Sequence, residues 1–169
     1  MKGHLSLGGN LGDRRAALRA AIEGLERRSV RVTGSSSVYE TDPVGEVRDQ
    51  PAFLNACVAI ETELEPEALL VAAKEVELEL GRVTDQGDPA YVRHGPRPID
   101  IDIVLLGDRE HRSPRLTVPH PALLERRFVL IPLLELDFEL TTPDGRRLAD
   151  ALAELPVEDG VRRVGPPLL

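Results

Sequence analysis

The order in which strand-like and helix-like apolar patterns follow one another constrains the fold of this chain more than any other feature. Four stretches are rich in apolar residues that alternate or run continuously, as they do in strands. These stretches are residues 2–7, 30–39, 53–61 and 99–106. Two intervals repeat apolar residues at the 3.6-residue period of a helix. Asp13 is the predicted N-cap of the first helix, and the second helix begins near Pro66 and ends at Gly81.

The resulting order is strand, helix, strand, strand, helix, strand. It predicts an α/β fold of the ferredoxin-like type, an α+β sandwich with a split βαβ arrangement and a mixed or antiparallel sheet flanked by helices. The 169 residues, 41% of them hydrophobic, are enough for one packed core but not for two. We therefore expect a single domain over residues 1–155, with further short helices over 128–136 and 148–155. Residues 156–169 are predicted to form a loosely attached tail.

Charge and cysteine content argue against several classes of protein. The chain has 21 basic and 29 acidic residues, a net charge of -8, which is unlike a protein that coats nucleic acid or an anionic membrane. Residues 1–7 lack the longer apolar region of a signal peptide, and no apolar run approaches membrane-spanning length. Cys57 is the only cysteine, and its apolar neighbours favour a core residue over a nucleophile. We expect a cytoplasmic monomer that binds neither nucleic acid nor membranes.

Arginine is concentrated in one part of the chain. Residues 82–127 contain eight Arg and seven acidic residues, a balance of +1, whereas the remainder of the chain carries -9. Because the guanidinium group matches phosphate oxygens, this concentration indicates a small polyanionic ligand. Taken alone, a set of surface ion pairs explains it equally well.

The most informative motif is the predicted strand that follows Arg97. The residues expected on its core face are Ile99, Ile101, Ile103 and Leu105. Asp100 and Asp102 then share the other face, roughly 6 to 7 Å apart. Adjacent carboxylates repel unless cations compensate them, so the pair favours a site for divalent cations with oxygen ligands. Two solvated aspartates are the alternative, and the nearby Arg93 and Arg97 favour Mg²⁺ with phosphates.

The glycine-rich segment 6–13 and the strand that begins at Phe53 also carry local signals. The glycine-rich segment 6–13 fits neither common phosphate-binding glycine pattern, so we predict a tight strand-to-helix connection there. In the strand that begins at Phe53, alternation places Phe53 and Asn55 side by side away from the core. A flat ring beside an amide suits a planar heterocycle, although a minor apolar cluster is the more common arrangement for such a pair.

Three motifs together resemble a known family. They are the segments 41–55, 95–102 (GPRPIDID) and 115–121 (RLTVPHP), and the start 8–13 (GGNLGD) is similar too. In this order they are similar to 6-hydroxymethyl-7,8-dihydropterin pyrophosphokinases of folate biosynthesis, over residues 5–150. The resemblance implies a ferredoxin-like α/β fold. It also implies transfer of the pyrophosphoryl group of ATP to the pterin hydroxymethyl oxygen, with release of AMP.

The resemblance implies roles for individual residues. Asp100 and Asp102 would hold two Mg²⁺ ions that bridge the ATP phosphates. Phe53 and Phe128 would sandwich the pterin ring, and Asn55 would hydrogen-bond its edge. The residues whose backbone would read the other pterin groups are Thr41, Asp42 and Val44. The residues implied at the triphosphate are Arg82, Arg93, Arg97, Arg115, His120 and Arg126, of which the first three are expected to act in catalysis. Those implied near the adenosine are Ile103 and Thr117. Glu77 matches an acidic position of the family near the nucleotide, and the alternative is that it is a carboxylate on the helix surface.

The segment 82–95 corresponds to a loop that closes over both substrates in that family. This chain departs from the family there, because Thr84 and His94 stand where some members carry Arg and Trp. Lys74 and Arg48 match no motif position, and we predict that both are solvated surface residues. Two other functions stay open: a metal-dependent nucleotidyl- or glycosyltransferase that uses the Asp-x-Asp pair, and a non-catalytic ferredoxin-like ligand-binding module.

Overall fold

An antiparallel six-stranded sheet, covered by helices on both faces, organises the chain. The computed structural model describes residues 1–43, 49–82, 95–157 and 160–169. The strands are β1 (Lys2–Gly9), β2 (Val30–Ser35), β3 (Val38–Thr41), β4 (Phe53–Thr62), β5 (Asp100–Leu105), β6 (His111–Arg112), β7 (Thr117–Val118) and β8 (Val161–Gly165). The α-helices are α1 (Arg14–Glu26), α2 (Pro66–Glu79), α3 (Arg127–Leu136) and α4 (Leu148–Glu154), and a 3-10 helix spans Leu123–Glu125.

Local sequence explains where the two long helices begin and end. The Asp13 side chain accepts a hydrogen bond of 3.1 Å from the backbone N–H of Ala16 and so caps α1. Pro66 is the first residue of α2, and Gly81, with φ of 95°, follows its end. The predicted helix boundaries are confirmed. Within the described ranges, no helix is long and apolar enough to cross a bilayer.

The main sheet runs in the order β5-β1-β4-β3-β8, and β2 also pairs with β4. The single strand predicted over 30–39 is therefore wrong, because β2 and β3 are separate strands on the same edge of β4. Between them, the hydroxyl of the buried Ser36 accepts a hydrogen bond from the Cys57 N–H and donates one to the Ser37 carbonyl. These side-chain hydrogen bonds replace the regular ladder and interrupt the strand.

The helices cover opposite faces of the sheet. α1 and α2 pack on one face in a cluster that includes Leu18, Leu69 and Ile101. α3 and α4 pack on the other face, in a cluster that contains Cys57 and Leu130. Burial raises the pKa of the Cys57 thiol to about 12, so its interpretation as a core residue is confirmed.

Leu105 lies on the side of the sheet opposite to the predicted one. The register between β1 and β5 places Leu5 opposite Ile103 and His4 opposite Leu105, so β5 contains one extra residue at this point. Such a bulge reverses the alternation of side chains after it. Leu105 consequently packs with the α3 cluster, whereas Ile103 packs with the α2 cluster.

The prediction of a loosely attached C-terminal tail is wrong for β8, which extends the sheet beyond residue 155. β8 pairs with β3, and Leu168 beyond it is buried. The Arg15 guanidinium donates hydrogen bonds to the carbonyls of Pro166 (3.1 Å) and Pro167 (3.3 Å). The sequence did not predict β8 because the strand is short and its second and third residues are both arginines, so it shows no apolar alternation.

Glycines in β1 allow neighbouring chain segments to approach closely. The glycine-rich segment was predicted to be a connection between strand and helix, yet Gly8 and Gly9 lie inside β1, and only Gly12 has a positive φ, of 65°. A Cβ on residue 9 would lie 2.2 Å from the Pro98 carbonyl oxygen. Glycine at this position therefore lets the segment that leads into β5 pack against β1.

Gly9→Ala is expected to lower the free energy of unfolding by about 2 kcal/mol or more, because the added methyl group must separate two backbones. Urea denaturation of the purified variant measures this change. Gly34→Ala is the matched control, since the atom nearest to its added Cβ is 3.7 Å away. Equal destabilisation by the two substitutions would contradict the role given to this close approach.

Candidate functional site

A cavity of about 300 Å³ opens where β1, β4 and β5 meet the beginning of α3. The cross-strand register places Gly8 of β1 opposite both Asn55 and Asp100, and Ser6 opposite Asp102. The residues that line the cavity are Ser6, Gly8, Thr41, Asp42, Phe53, Asn55, Arg97, Asp100, Asp102, Arg126 and Phe128. The sheet thus gathers side chains from distant parts of the sequence on one surface.

Two partly exposed phenylalanine rings stand on the walls of this cavity. The Arg97 guanidinium lies 4.9 Å from the centroid of the Phe53 ring, and that of Arg126 lies 5.6 Å from the centroid of the Phe128 ring. Both distances fall in the range of cation–π contacts. The predicted ring pair is thus brought to one cavity, with an arginine on each ring.

Asn55 is held in a fixed orientation on the cavity floor. It is buried, and its Nδ2 donates a hydrogen bond of 2.6 Å to Thr41 Oγ1. A Cβ on residue 8 would lie 2.6 Å from Asn55 Oδ1, so Gly8 provides the space for this amide. The N–H of Asp42 donates a hydrogen bond of 3.1 Å to the Gly160 carbonyl, which fixes the backbone at this edge of the cavity.

The two aspartates of β5 have different surroundings. Arg82 donates hydrogen bonds to both Asp100 and Glu77, and the Arg97 Nε lies 3.6 Å from Asp100 Oδ2. Burial raises the pKa of Asp100, but the attraction of Arg82 and Arg97 outweighs it and holds this pKa below its usual value. Asp100 is therefore a charge-compensated carboxylate.

Asp102 is less well compensated, because the attraction of Arg126 and Lys74 does not outweigh burial and the charge of Asp100. No hydrogen bond or ion pair joins its carboxylate to another residue in the described part of the chain. Burial and the nearby charge of Asp100 raise the pKa of Asp102 to about 7. The protein thus holds a half-buried carboxylate that gains from any cation bound beside it.

Glu77 lies behind the aspartates and is completely buried. Its carboxylate accepts hydrogen bonds from Arg82 and from the N–H of Ile101 (3.0 Å), and the Lys74 ammonium lies 3.0 Å from Oε1. Burial raises the pKa of Glu77 against the attraction of Arg82 and Lys74. The alternative of a helix-surface carboxylate is therefore wrong, and the place of Glu77 near the nucleotide stays a prediction. Its carboxylate positions Arg82 and the start of β5.

A second cavity, of about 260 Å³, adjoins β5 on the side of α2. The residues that line it are Leu70, Lys74, Ile101, Asp102, Ile103, Ser113, Pro114, Arg115, Leu116, Thr117, His120 and Pro121. His120 Nδ1 accepts a hydrogen bond of 3.0 Å from the N–H of Ala122. Burial and the nearby Arg126 lower the pKa of His120, which favours the neutral imidazole. Asp102 lines both cavities, so they meet at this carboxylate.

Most of the predicted site residues meet at these two cavities. The first cavity gathers the predicted pterin residues other than Val44, together with Arg97 and Arg126, and the second gathers Ile103, Arg115, Thr117 and His120. The candidates and related positions that lie outside the described residues are Val44, Arg48, Thr84, Arg93 and His94.

The Lys74 side chain is 44% exposed, as expected of a surface residue, but it also lines the second cavity and pairs with Glu77, which was not predicted. Its spacing of four residues from Leu70 on α2 places both on one helix face, a signal that could have identified it. Ser6 and Gly8 were also missed. Their positions in the first cavity depend on the pairing between strands, which the sequence does not specify.

Residues 4–138 match the model of the 7,8-dihydro-6-hydroxymethylpterin-pyrophosphokinase (HPPK) family. The chain is 42% identical over 162 residues to the 2-amino-4-hydroxy-6-hydroxymethyldihydropteridine pyrophosphokinase of Pseudomonas aeruginosa, with 95% of each chain covered. It is 46% identical over 134 residues to the protein of the same name from Bacillus subtilis, with 79% of this chain and 76% of that protein covered.

The fold is also similar to that of solved structures. A crystal structure of an HPPK-DHPS in complex with substrates gives a TM-score of 0.70 at 13% identity and covers 96% of this chain. A Plasmodium falciparum HPPK-DHPS gives a TM-score of 0.71 at 15% identity. This chain spans 46% and 48% of those two solved chains. At such identities the likeness shows the fold alone, and it agrees with the predicted α/β class.

Proposed function

Because this chain belongs to the 7,8-dihydro-6-hydroxymethylpterin-pyrophosphokinase family, we infer that it transfers a pyrophosphoryl group from ATP to 6-hydroxymethyl-7,8-dihydropterin in folate biosynthesis. The hydroxymethyl oxygen of the pterin forms a bond to the β-phosphorus of ATP. The bond between the β-phosphorus and the oxygen that bridges it to the α-phosphorus breaks, and AMP leaves with that oxygen. ATP is therefore a co-substrate.

The observation that carries this function is the meeting of two cavities at Asp102. One cavity has two aromatic rings and a fixed amide, which suit a flat heterocycle with hydrogen-bonding edges. The other has Arg115, Lys74 and His120 on its walls, which suit a nucleotide with its phosphates. A pterin and ATP bound in this way would place their reacting groups on either side of the aspartates.

The first cavity is proposed to bind the pterin. Phe53 and Phe128 would stack on the two faces of its ring, and Asn55 would hydrogen-bond one edge. Thr41 contributes through its hydroxyl, which orients the Asn55 amide. The Asp42 carbonyl would complete the recognition of the ring edge. The backbone of Val44, which lies outside the described ranges, is predicted to take part as well.

Asp100 and Asp102 fit a magnesium site. Both offer oxygen ligands, and the Asp102 carboxylate forms no ion pair with a described residue, although Arg126 and Lys74 attract it from a distance. No cluster of three or more His, Cys, Asp or Glu side chains suited to a metal occurs in the described ranges. Mg²⁺ is commonly held by one or two carboxylates together with substrate phosphates, so ATP would provide further ligands. We propose two Mg²⁺ ions here, which would neutralise charge on the phosphates.

The arginines are proposed to stabilise charge on the transferred group. Arg97 and Arg126 line the first cavity, Arg115 lines the second, and Arg82 is held beside Asp100. Guanidinium groups around the triphosphate favour the transition state where negative charge shifts toward the leaving AMP. Arg93 is assigned the same role as a prediction. Ile103 and Thr117 would contact the adenosine. That the protein is a monomer and is located in the cytoplasm also stays a prediction.

The purified protein, incubated with ATP, Mg²⁺ and 6-hydroxymethyl-7,8-dihydropterin, is expected to release AMP and the pterin pyrophosphate in equal amounts. Anion-exchange chromatography of the products measures both. The control omits the pterin, and AMP is not expected there. Release of ADP, or binding of both ligands without any product, would contradict the proposed transfer.

A further inference from the structure

The second cavity has two walls that come from separate parts of the chain. α2 provides one wall through Leu70 and Lys74, and the turn over residues 113–117 provides the other. This turn joins the short strands β6 and β7, whose ladder consists of two residue pairs. A hairpin of this length gives little stability of its own, so other contacts must fix its position.

The turn is organised around the hydroxyl of Ser113. Its Oγ accepts hydrogen bonds from the N–H of Leu116 at 3.1 Å and from the N–H of Arg115 at 3.3 Å. The Ser113 N–H donates to the Leu116 carbonyl at 2.8 Å. The Ser113 hydroxyl, together with this backbone hydrogen bond, therefore fixes the direction in which the chain presents the exposed Arg115.

Glu67 ties this turn to α2. It lies in the first turn of α2, and its Oε1 accepts a hydrogen bond from the Ser113 hydroxyl and lies 3.0 Å from Nε2 of His111. The hydrogen bonds from Ser113 and His111 lower the pKa of Glu67, so its carboxylate is charged at neutral pH. One carboxylate thus contacts both β6 and the turn, and links them to the helix that forms the opposite wall.

We propose that Glu67 and Ser113 are positioning residues for the nucleotide, and that they hold the Arg115 wall at a fixed distance from α2. This inference rests on the proposed function, because it takes the second cavity as the ATP site. If the turn were free to move, ATP binding would have to order it together with the long Arg115 side chain, at a cost in conformational entropy. The linked residues remove much of that cost before ATP arrives.

Ser113→Ala removes the hydroxyl that joins Glu67 to the turn. We expect it to raise the dissociation constant of a non-hydrolysable ATP analogue with Mg²⁺ by about five- to tenfold, and the KM for ATP by a similar factor. The KM for the pterin should stay within about twofold of the wild-type value, because Ser113 lines the second cavity and not the first. The urea midpoint should stay within about 0.5 M of the wild-type value, because Ser113 is partly exposed. Isothermal titration calorimetry measures the binding.

Two variants separate positioning from a general structural effect. Ser113→Thr keeps the hydroxyl and is expected to restore wild-type affinity for the analogue. Glu75→Ala removes another carboxylate of α2, which pairs with Arg28 at 3.2 Å, and is expected to leave that affinity unchanged. If wild type and Ser113→Ala bound the ATP analogue with equal affinity, this inference would be overturned and the proposed function would stand. Failure of the wild-type protein to bind the analogue would overturn the proposed function and this inference with it.

Discussion

Asp102→Asn is expected to abolish pyrophosphoryl transfer and, at the same time, to stabilise the ligand-free protein above pH 7. The pKa of Asp102 is raised from 3.8 to about 7 by burial and by the neighbouring Asp100. Because the folded-state pKa lies above the unfolded value, folding takes up a proton between these two pH values. The contribution of this group to stability is therefore present below about pH 4 and is lost as the pH rises through about 7.

The amide of the variant does not ionise, so this loss should disappear. We expect the free energy of unfolding at pH 8 to be about 1 to 2 kcal/mol higher than in the wild type, and the difference to vanish near pH 4. Urea denaturation at both pH values measures it. The kcat is expected to fall at least about a hundredfold, since the variant loses a proposed ligand of Mg²⁺ at the transferred group.

Asp100→Asn is the matched control and should act in the opposite direction on stability. Arg82 and Arg97 hold the pKa of Asp100 below its usual value, so its charged form stabilises the folded protein above the unfolded pKa. Removing that charge leaves Arg82 with Glu77 alone and is expected to destabilise the protein at pH 8. A change of the same sign in both variants would contradict the difference between the two carboxylates. Full activity of either variant would remove the magnesium assignment.

The parts of the fold that follow from local sequence could be predicted. Asp13, Pro66 and Gly81 mark helix boundaries through hydrogen bonds and backbone angles that each residue type favours by itself. The errors concern pairing between distant segments. The bulge that turns Leu105 toward α3, and the pairing of β8 with β3, depend on partners that lie far away along the chain.

The same distinction holds for the site. Strand alternation correctly placed Asp100 with Asp102 and Phe53 with Asn55, because side-chain direction in a strand has a period of two residues. It could not reveal that Arg82 compensates only one of the two aspartates. That asymmetry arises from where α2 ends relative to β5, which is a property of tertiary packing. The burial of Glu77 was not predicted for the same reason, since it depends on the contact between α2 and β5.

Phe128→Leu is expected to weaken binding of the pterin at least about tenfold while it changes the free energy of unfolding by less than about 1 kcal/mol. The Phe128 ring stands in the first cavity with Phe53, and it is partly exposed at the beginning of α3. Leucine fills a similar volume against the α3 cluster, but it has no flat face on which the pterin can stack. Fluorescence titration with the pterin, in the presence of a non-hydrolysable ATP analogue, measures the affinity.

Phe138→Leu provides the matched control for this substitution. Phe138 is 61% exposed and lies two residues beyond the end of α3, outside both cavities, so the same chemical change should leave pterin affinity unaltered. If Phe128→Leu lowered stability by several kcal/mol and left pterin affinity intact, Phe128 would be a residue of the core alone. The stacking role would then rest on Phe53, whose ring already carries the Arg97 guanidinium in the ligand-free protein.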